Sequence, residues 1–402
     1  MGKVWIEEIS DGLYVLRVDD DQTKYFEAMW DIPEGITYNA YLMKTGDAVV
    51  LFDAWKKTYE KEFIEALSSI VDPKEITHIV VHHMEPDHSG ALPKVLELNG
   101  YKAQILGTTF VEKLIEAFYG IKVNFRPVKD GEEIKIGEKT FRFIHVPWLH
   151  WPDTMITYVI EDGIFFGGDV CGGYSIPPAL FDDDEEVVQN YLPHVRKYII
   201  NVIGHYKKYI HQNIEKIKSF NLDLKLIAPA HGLIWRKNPA KIIEFYEQVG
   251  RGIPTKGKVL VVYSSMYGFV EKAVSVAVDE VKKLGYNPVV YKFTDTERAN
   301  ISDILGDVPD SEAIIIGTAT YEADIFPMMR FTLDEILDKA NYEKPVLVLT
   351  TFGWGGIAGK KIESLFSKTK FNVIETMEIK GLLQKGLEKK VREGVGKLLG
   401  IK

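Results

Sequence analysis

The sequence predicts an α/β protein of two domains: a mixed first domain of two sheets covered by helices, then a doubly wound parallel sheet. Three observations carry that expectation. At 402 residues the chain exceeds the size at which a single hydrophobic core keeps growing. Strand-like and helix-like segments alternate irregularly up to about residue 250 and regularly beyond it. Between the two rhythms lies GRGIPTKGK, residues 250–258, where glycine, proline and charge follow a helical pattern. The expected domains are residues 1–252 and 257–402.

In the first domain, GLYVLRV, AVVLFDA, ITHIVVHH, KAQILGT, TFRFIHVP, MITYVIE and GIFFGGDV are rich in β-branched and aromatic residues and read as strands. YEKEFIEALSSI, ALPKVLEL and TFVEKLIEAFYG carry helical periodicity. One longer helical region is expected over residues 186–220, then a last strand, LKLIAP, and the helix PAKIIEFYEQV. In the second domain, the strands KVLVVYSS, PVVYKF, EAIIIGTA, PVLVLTTFG and NVIETMEI are nearly all separated by helices. That is the pattern of parallel strands joined by crossovers.

The formal net charge of −9 disfavours a role in wrapping nucleic acid. Charge interrupts every apolar run near the N-terminus, so no signal peptide is expected, and no run is long enough for a transmembrane helix. The single cysteine, Cys171, rules out an internal disulfide, a rubredoxin-type site or a cysteine-ligated cluster within the chain. A cytoplasmic protein without membrane or nucleic-acid partners is expected.

The densest chemistry lies in HHMEPDHSG, residues 82–90. His83, Glu85, Asp87 and His88 have the spacing H-x-E-x-D-H directly after an apolar strand. One such residue at a strand end is readily explained by solvent or helix capping. Four within six positions are not, because charged groups in a crevice need pairing or a metal. His145, His150, Asp169 and His231 also follow apolar strands. A lone histidine there is more often structural, but together they supply ligands for more than one ion, with Asp169 the natural bridge. With thiolate nearly absent, imidazole plus carboxylate leaves zinc, manganese and non-haem iron open.

The pattern resembles the metallo-β-lactamase fold, whose hydrolases carry H-x-H-x-D-H. Glu85 in place of the second histidine resembles the flavodiiron proteins, or A-type flavoproteins. That resemblance implies an N-terminal metallo-β-lactamase-like αββα domain holding two iron ions. It implies His83, Glu85 and His150 on one iron, Asp87, His88 and His231 on the other, and Asp169 between them. His82 and His145 are read as structural neighbours. Many relatives carry a histidine after an early phenylalanine, where this chain has Glu27 after Phe26. Glu27 and a pocket phenol, Tyr191, are therefore the candidate catalytic side chains beside the metals.

The second candidate site is a strand–loop–helix, VLVVYSSMYGFVEKA. Backbone N–H groups at such a helix start bind phosphate. No G-x-G-x-x-G is present, so one phosphate fits better than a dinucleotide. A serine-rich helix cap would explain this loop alone. Two later loops, residues 317–327 and 350–359, add glycines and the aromatics Tyr321 and Trp354, suited to an isoalloxazine face. These loops resemble flavodoxin, which implies FMN and a flavodoxin-like domain. Ser264, Ser265, Met266, Tyr267, Gly268, Phe269 and Val270 would surround the phosphate. Thr318, Ala319, Thr320, Tyr321, Glu322 and Ala323, with Thr351, Phe352, Gly353, Trp354 and Gly355, would surround the ring. A threonine usually closes the phosphate loop, and Val270 stands there.

Together the two resemblances imply a flavodiiron oxidoreductase reducing O2 to water, NO to N2O, or both. They imply a head-to-tail homodimer, alone or as a dimer of dimers. The external electron donor would be rubredoxin, an NAD(P)H-dependent reductase or reduced coenzyme F420. The rival readings are a zinc-dependent hydrolase fused to a flavodoxin domain, which Glu85 disfavours, and a non-catalytic flavin electron carrier.

Overall fold

The computed structural model describes residues 2–401. The chain divides into two compact units. One comprises the residues up to Tyr198 together with Tyr206–Glu247, and the other Ile199–His205 together with the residues from Gln248 onward. Among the described residues, no helix is long and apolar enough to cross a membrane.

The first unit has the two sheets that the sequence predicts. The larger is seven-stranded, in the order Val4–Ser10, Leu13–Asp20, Ile36–Thr45, Ala48–Phe52, His78–Val80, Gln104–Gly107 and Asn124–Pro127. The smaller is five-stranded, in the order Glu133–Ile136, Lys139–His145, Met155–Val159, Ile164–Gly168 and Leu226–Pro229. One apolar core draws residues from both sheets, including Phe52, Phe141, Phe143 and Phe166. Phe52 and Phe166 stack with ring centroids 3.9 Å apart.

The strand Ile36–Thr45 was not expected, yet it is buried along almost its whole length. Its polar residues disguise it. Thr37 and Asn39 do not face water. They bond the turn that carries His231: Asn39 Nδ2 donates to the carbonyls of Pro229 and Gly232 at 3.0 and 3.1 Å, and Thr37 Oγ1 accepts from Gly232 N at 2.7 Å. Buried polar groups are tolerated when paired in this way.

The long helix expected over 186–220 is broken. Helix Glu185–Tyr198 passes into a π-helical turn, Ile199–Ile203, and a 3-10 turn, Gly204–Tyr206, before helix Lys208–Ser219. The break coincides with a β-branched run and Gly204, both poor helix formers.

The second unit is a parallel sheet in the order Asn287–Phe293, Lys258–Ser264, Ala313–Tyr321, Pro345–Phe352, Asn372–Lys380, with the short Asp324–Ile325 antiparallel at one side. This is the doubly wound order expected of a flavodoxin-like domain. The helix Ile301–Asp307, which the sequence reading omitted, supplies the crossover between the second and third strands in sequence.

Candidate metal centre and cofactor cavity

The strand His78–Val80 ends earlier than its apolar run. The chain then leaves the sheet, so His83 and Glu85 lie on irregular backbone, and Pro86 opens the short helix Pro86–Ser89, which carries Asp87 and His88. Pro is well suited to a first helical position, because its missing N–H is not needed there. The turn is tight: a Cβ on Gly90 would lie 2.3 Å from the backbone nitrogen of Lys57. Asp169 follows the strand Ile164–Gly168, whose last residue has φ +54°, and His231 follows Leu226–Pro229.

The structure brings His83, Glu85, Asp87, His88, His150, Asp169 and His231 into one buried cluster. Asp169 stands at its centre, and its two oxygens face different partners. Oδ2 lies 2.7 Å from His150 Nε2 and 3.5 Å from His83 Nε2. Those two imidazoles also face Glu85 Oε2, at 3.1 and 3.6 Å. Oδ1 lies 2.7 Å from His88 Nε2 and 3.4 Å from His231 Nε2. These two face Asp87 Oδ2, at 3.3 and 3.6 Å.

Despite this proximity, the inward atoms make no hydrogen bonds of acceptable geometry. His83 Nε2, His88 Nε2, His150 Nε2, His231 Nε2, Glu85 Oε2 and both oxygens of Asp87 and Asp169 are buried without a partner. So many orphaned donor and acceptor atoms aimed at one centre would be expensive in a purely structural core. Four imidazoles, three carboxylates and no thiolate suit two iron ions that share the central carboxylate. The residues therefore fit a diiron group.

The electrostatics show the same demand for positive charge. Burial works to raise the pKa of Glu85, but the imidazoles of His150 and His83 outweigh it and hold the carboxyl at about 2. Asp169 is likewise held well below the usual range, against burial, chiefly by His88 and His83. Burial pushes Asp87 up, helped by the charges of Glu85 and Asp169. Burial would lower His88, but Asp87 and Asp169 overcome it and push the imidazole up to about 10. Burial would also lower His150 and His83, but Asp169 and Glu85 raise both.

Surrounding groups fix the cluster. His231 Nδ1 donates to Thr37 O at 2.6 Å, which leaves Nε2 as the inward lone pair. His82 turns away: its Nδ1 and backbone N–H bond Asp53 at 2.6 and 2.9 Å, and its Nε2 meets Thr157 Oγ1 at 3.1 Å. Asp153 accepts from Met84 N at 2.9 Å, bracing the loop between His83 and Glu85. His145 bonds Val128 O and belongs to the sheet, outside the cluster.

Glu27 is not among the clustered ligand-type groups, and Tyr191 brings a phenol, not a ligand. Glu27 is exposed and accepts from Trp30 Nε1 at 3.1 Å. Glu27 and Ala28 both have left-handed backbone, φ +51° and +59°. Phe26 instead meets the cluster, edge-on to His231 at 6.3 Å. Tyr191 packs against Trp235, with its hydroxyl against Gly173 and Gly232. The phenols that reach the ligands are Tyr38, 5.6 Å from His231 and 6.4 Å from His88, and Tyr198, 5.6 Å from His231. Burial and the charge of Asp169 raise the pKa of Tyr198 well above its ordinary value, so the phenol keeps its proton.

In the second unit, a cavity of about 620 Å³ opens at the ends of the strands. Met266, Tyr267 and Phe269 line it from the first loop, Ala319, Thr320, Glu322 and Ala323 from the second, and Thr351 to Gly355 from the third. Tyr321 stays outside the lining and packs edge-on to Phe326 at 5.7 Å. Ser264 and Thr318 are buried beneath, their hydroxyls 2.9 Å apart. Gly356, Ile357 and Gly381 also line the cavity and were not anticipated. Its volume, apolar lining and close glycine backbone fit a flavin.

Residues 36–232 match the ODP family beta lactamase, and residues 261–394 match flavodoxin. The chain is 32% identical to the nitric oxide reductase of Moorella thermoacetica, over 91% of this chain and 90% of that protein. A variant of the flavo di-iron protein from Thermotoga maritima superposes with a TM-score of 0.95 at 55% identity, covering 100% of this chain and 99% of that one. The rubredoxin oxygen:oxidoreductase of Desulfovibrio gigas superposes with a TM-score of 0.91 at 26% identity, covering 98% of each chain.

Proposed function

Because the chain belongs to the flavodiiron proteins, we propose that it reduces O2, NO or both at the seven-residue cluster, with electrons relayed through FMN from an external donor. The observation that carries this reading is Asp169, whose two oxygens each face a separate set of two imidazoles and a carboxylate. When bound, two irons and FMN supply up to four electrons, enough to take O2 to two waters or, with two of them, two NO to N2O and water.

The protein's own residues do the rest. His83, Glu85 and His150 would hold one ion, and Asp87, His88 and His231 the other, with Asp169 placed between the two sets. Thr37, through His231, sets which ring nitrogen faces inward. Tyr38, Phe26 and Tyr198 close one side with aromatic surface and keep bulk water from the reacting gas. Tyr198 holds a proton on its hydroxyl at the edge of the cluster, where a product oxygen can take it.

The donor is rubredoxin, an NAD(P)H-dependent reductase or reduced coenzyme F420. A head-to-tail homodimer would bring the FMN of one subunit to the metals of the other. In support, Trp354 and Tyr267 at the flavin cavity are 100% and 81% exposed, apolar surface that a second copy would cover. A single buried cysteine accords with the cytoplasm. Anaerobically prepared protein should contain two irons and one FMN per chain and consume O2 or NO when supplied with a prereduced donor. Stoichiometric zinc with ester or thioester hydrolysis would reject the reading.

A further inference from the structure

We propose that Tyr174 returns protons to Tyr198 from a polar cavity lined by Glu34 and His194, so that the O–H spent at the metal cluster is refilled through a second phenol. This rests on the gas-reduction reading above, whose proton route it supplies. Taking O2 to two waters consumes four protons, and taking two NO to N2O and water consumes two. Tyr198 carries one. Giving it up leaves a phenolate buried beside the Asp169 carboxylate, which burial and like charge both oppose. The proton must therefore be replaced before the next is needed.

Tyr174 is placed to replace it. Its ring stands edge-on to Tyr198, with centroids 5.1 Å apart, and edge-on to Phe26 at 5.5 Å. The side chain is fully buried, and no protein group bonds its hydroxyl. The hydroxyl of Tyr198 likewise lacks a hydrogen-bond partner in the protein. Phenylalanine would fill the same space without stranding a polar atom, so packing alone does not explain the tyrosine. An ordered water satisfies such hydroxyls. Burial raises the pKa of Tyr174 well above its ordinary value, and the charges of Glu27, Glu34, Glu85 and Asp169 add to this. The phenol thus feels both outer carboxylates and cluster ligands, and it keeps its proton until a neighbouring phenolate accepts it.

The outer end is open. Glu34 lines a cavity of about 520 Å³ with Asn190, His194 and Ser175, the residue that follows Tyr174. Lys197 Nζ lies 2.8 Å and His194 Nδ1 3.4 Å from Glu34 Oε1, and the His194 side chain is 36% exposed. Tyr38, another phenol beside the ligands with an unbonded hydroxyl, has no such outlet. Asp20, the carboxylate outside the cluster that acts on it, is 1% exposed. Asp20 already accepts from Gln22 N and from Thr23 N and Oγ1. In each passage the Tyr174 O–H bond breaks as the Tyr198 O–H bond forms. Tyr174 then regains a proton from the cavity, and no electron moves.

Tyr174 acts through Tyr198 and is a positioning residue, so its test compares variants of the full chain loaded with iron and FMN. Tyr174→Phe should lower kcat for O2 about tenfold with KM unchanged, less than the loss of a direct proton donor. Its solvent deuterium isotope effect should exceed that of the parent chain. In a Tyr198→Phe background the same change should cost nothing further, because the proton it refills is already gone. Independently of turnover, a crystal structure of the parent chain should show an ordered water bonded to the Tyr174 hydroxyl at about 2.7 Å. Iron, FMN and melting temperature should be the same in Tyr174→Phe as in the parent. The parent rate in Tyr174→Phe, losses that multiply in the double variant, a dry Tyr174 hydroxyl, or a fall in iron or melting temperature would each overturn the route while gas reduction stands. A loaded parent chain that reduces neither gas would overturn that reading and the route with it.

Discussion

The metal cluster and the flavin cavity are made from different parts of the chain. The cluster is built of side chains: seven buried residues from four separate segments, with inward atoms that no protein group satisfies. The cavity is lined largely by glycines and small residues at three loops, with its large aromatics turned to the surface. A side-chain site concentrates its energetics, because each ligand is irreplaceable and each buried charge is costly without the ion. A backbone site spreads them, because no one side chain supplies much of the grip. Damage to the cluster should therefore be all-or-none, and damage to the cavity gradual.

The sharpest test of that contrast is Asp169→Ala. One substitution removes the group facing both trios and leaves four imidazoles against two carboxylates. Iron should fall from two per chain to one or none, and turnover of O2 and NO by at least about 1,000-fold, in the range that loss of a group essential to catalysis produces. FMN content should not change. Iron analysis and gas-electrode rates check this, and unchanged iron would remove Asp169 from the bridging position.

Asp53→Ala tests whether the cluster also depends on its scaffold. Asp53 accepts from His82 N and from its Nδ1. Truncation strands two buried donors beside His83, at about 1–3 kcal/mol each. The expected outcome is a loss of about 2–6 kcal/mol in stability by denaturant unfolding, together with weaker iron retention and intact flavin binding. Wild-type stability would show that water replaces the carboxylate without penalty.

A comparison of two tyrosines gives the next largest effect. Tyr198→Phe removes the protonated hydroxyl at the cluster and should slow gas reduction about 100-fold, the lower range for a lost general acid, with two irons retained. Tyr191→Phe should leave the rate within about twofold. Equal behaviour of the two variants would count against a proton donor at Tyr198.

These same two residues mark where the sequence stops being legible. They are seven positions apart on the helix Glu185–Tyr198, two turns along the same face. Periodicity cannot distinguish which of them meets His231. That His83, Glu85, Asp87 and His88 would gather at one place was legible because such a density of imidazole and carboxylate leaves a residue-type signature, H-x-E-x-D-H after an apolar strand. The backbone at Glu27 was not legible: Glu27 and Ala28 are both left-handed, and nothing in that pair signals positive φ. The strand Ile36–Thr45 was hidden because Thr37 and Asn39 spend their polar groups on the His231 turn. At the cavity, Gly381 was missed because it follows the last strand, outside the three loops whose glycines and aromatics gave the signal.

Trp354→Ala probes the gradual side of the contrast. The indole is fully exposed, so it contributes no packing to the fold of its own unit, and the melting temperature should not move. Whatever the substitution costs must then appear in flavin binding or in association with a second copy, and flavin titration at constant oligomeric state isolates the first. One aromatic contact is worth about 0.5–1.5 kcal/mol, so FMN affinity should weaken about 3- to 10-fold with iron unaltered. A loss beyond about 100-fold would mean that one side chain dominates this site too. The distinction between concentrated and distributed binding would then fail, because a cavity governed by Trp354 would be as brittle as the cluster governed by Asp169.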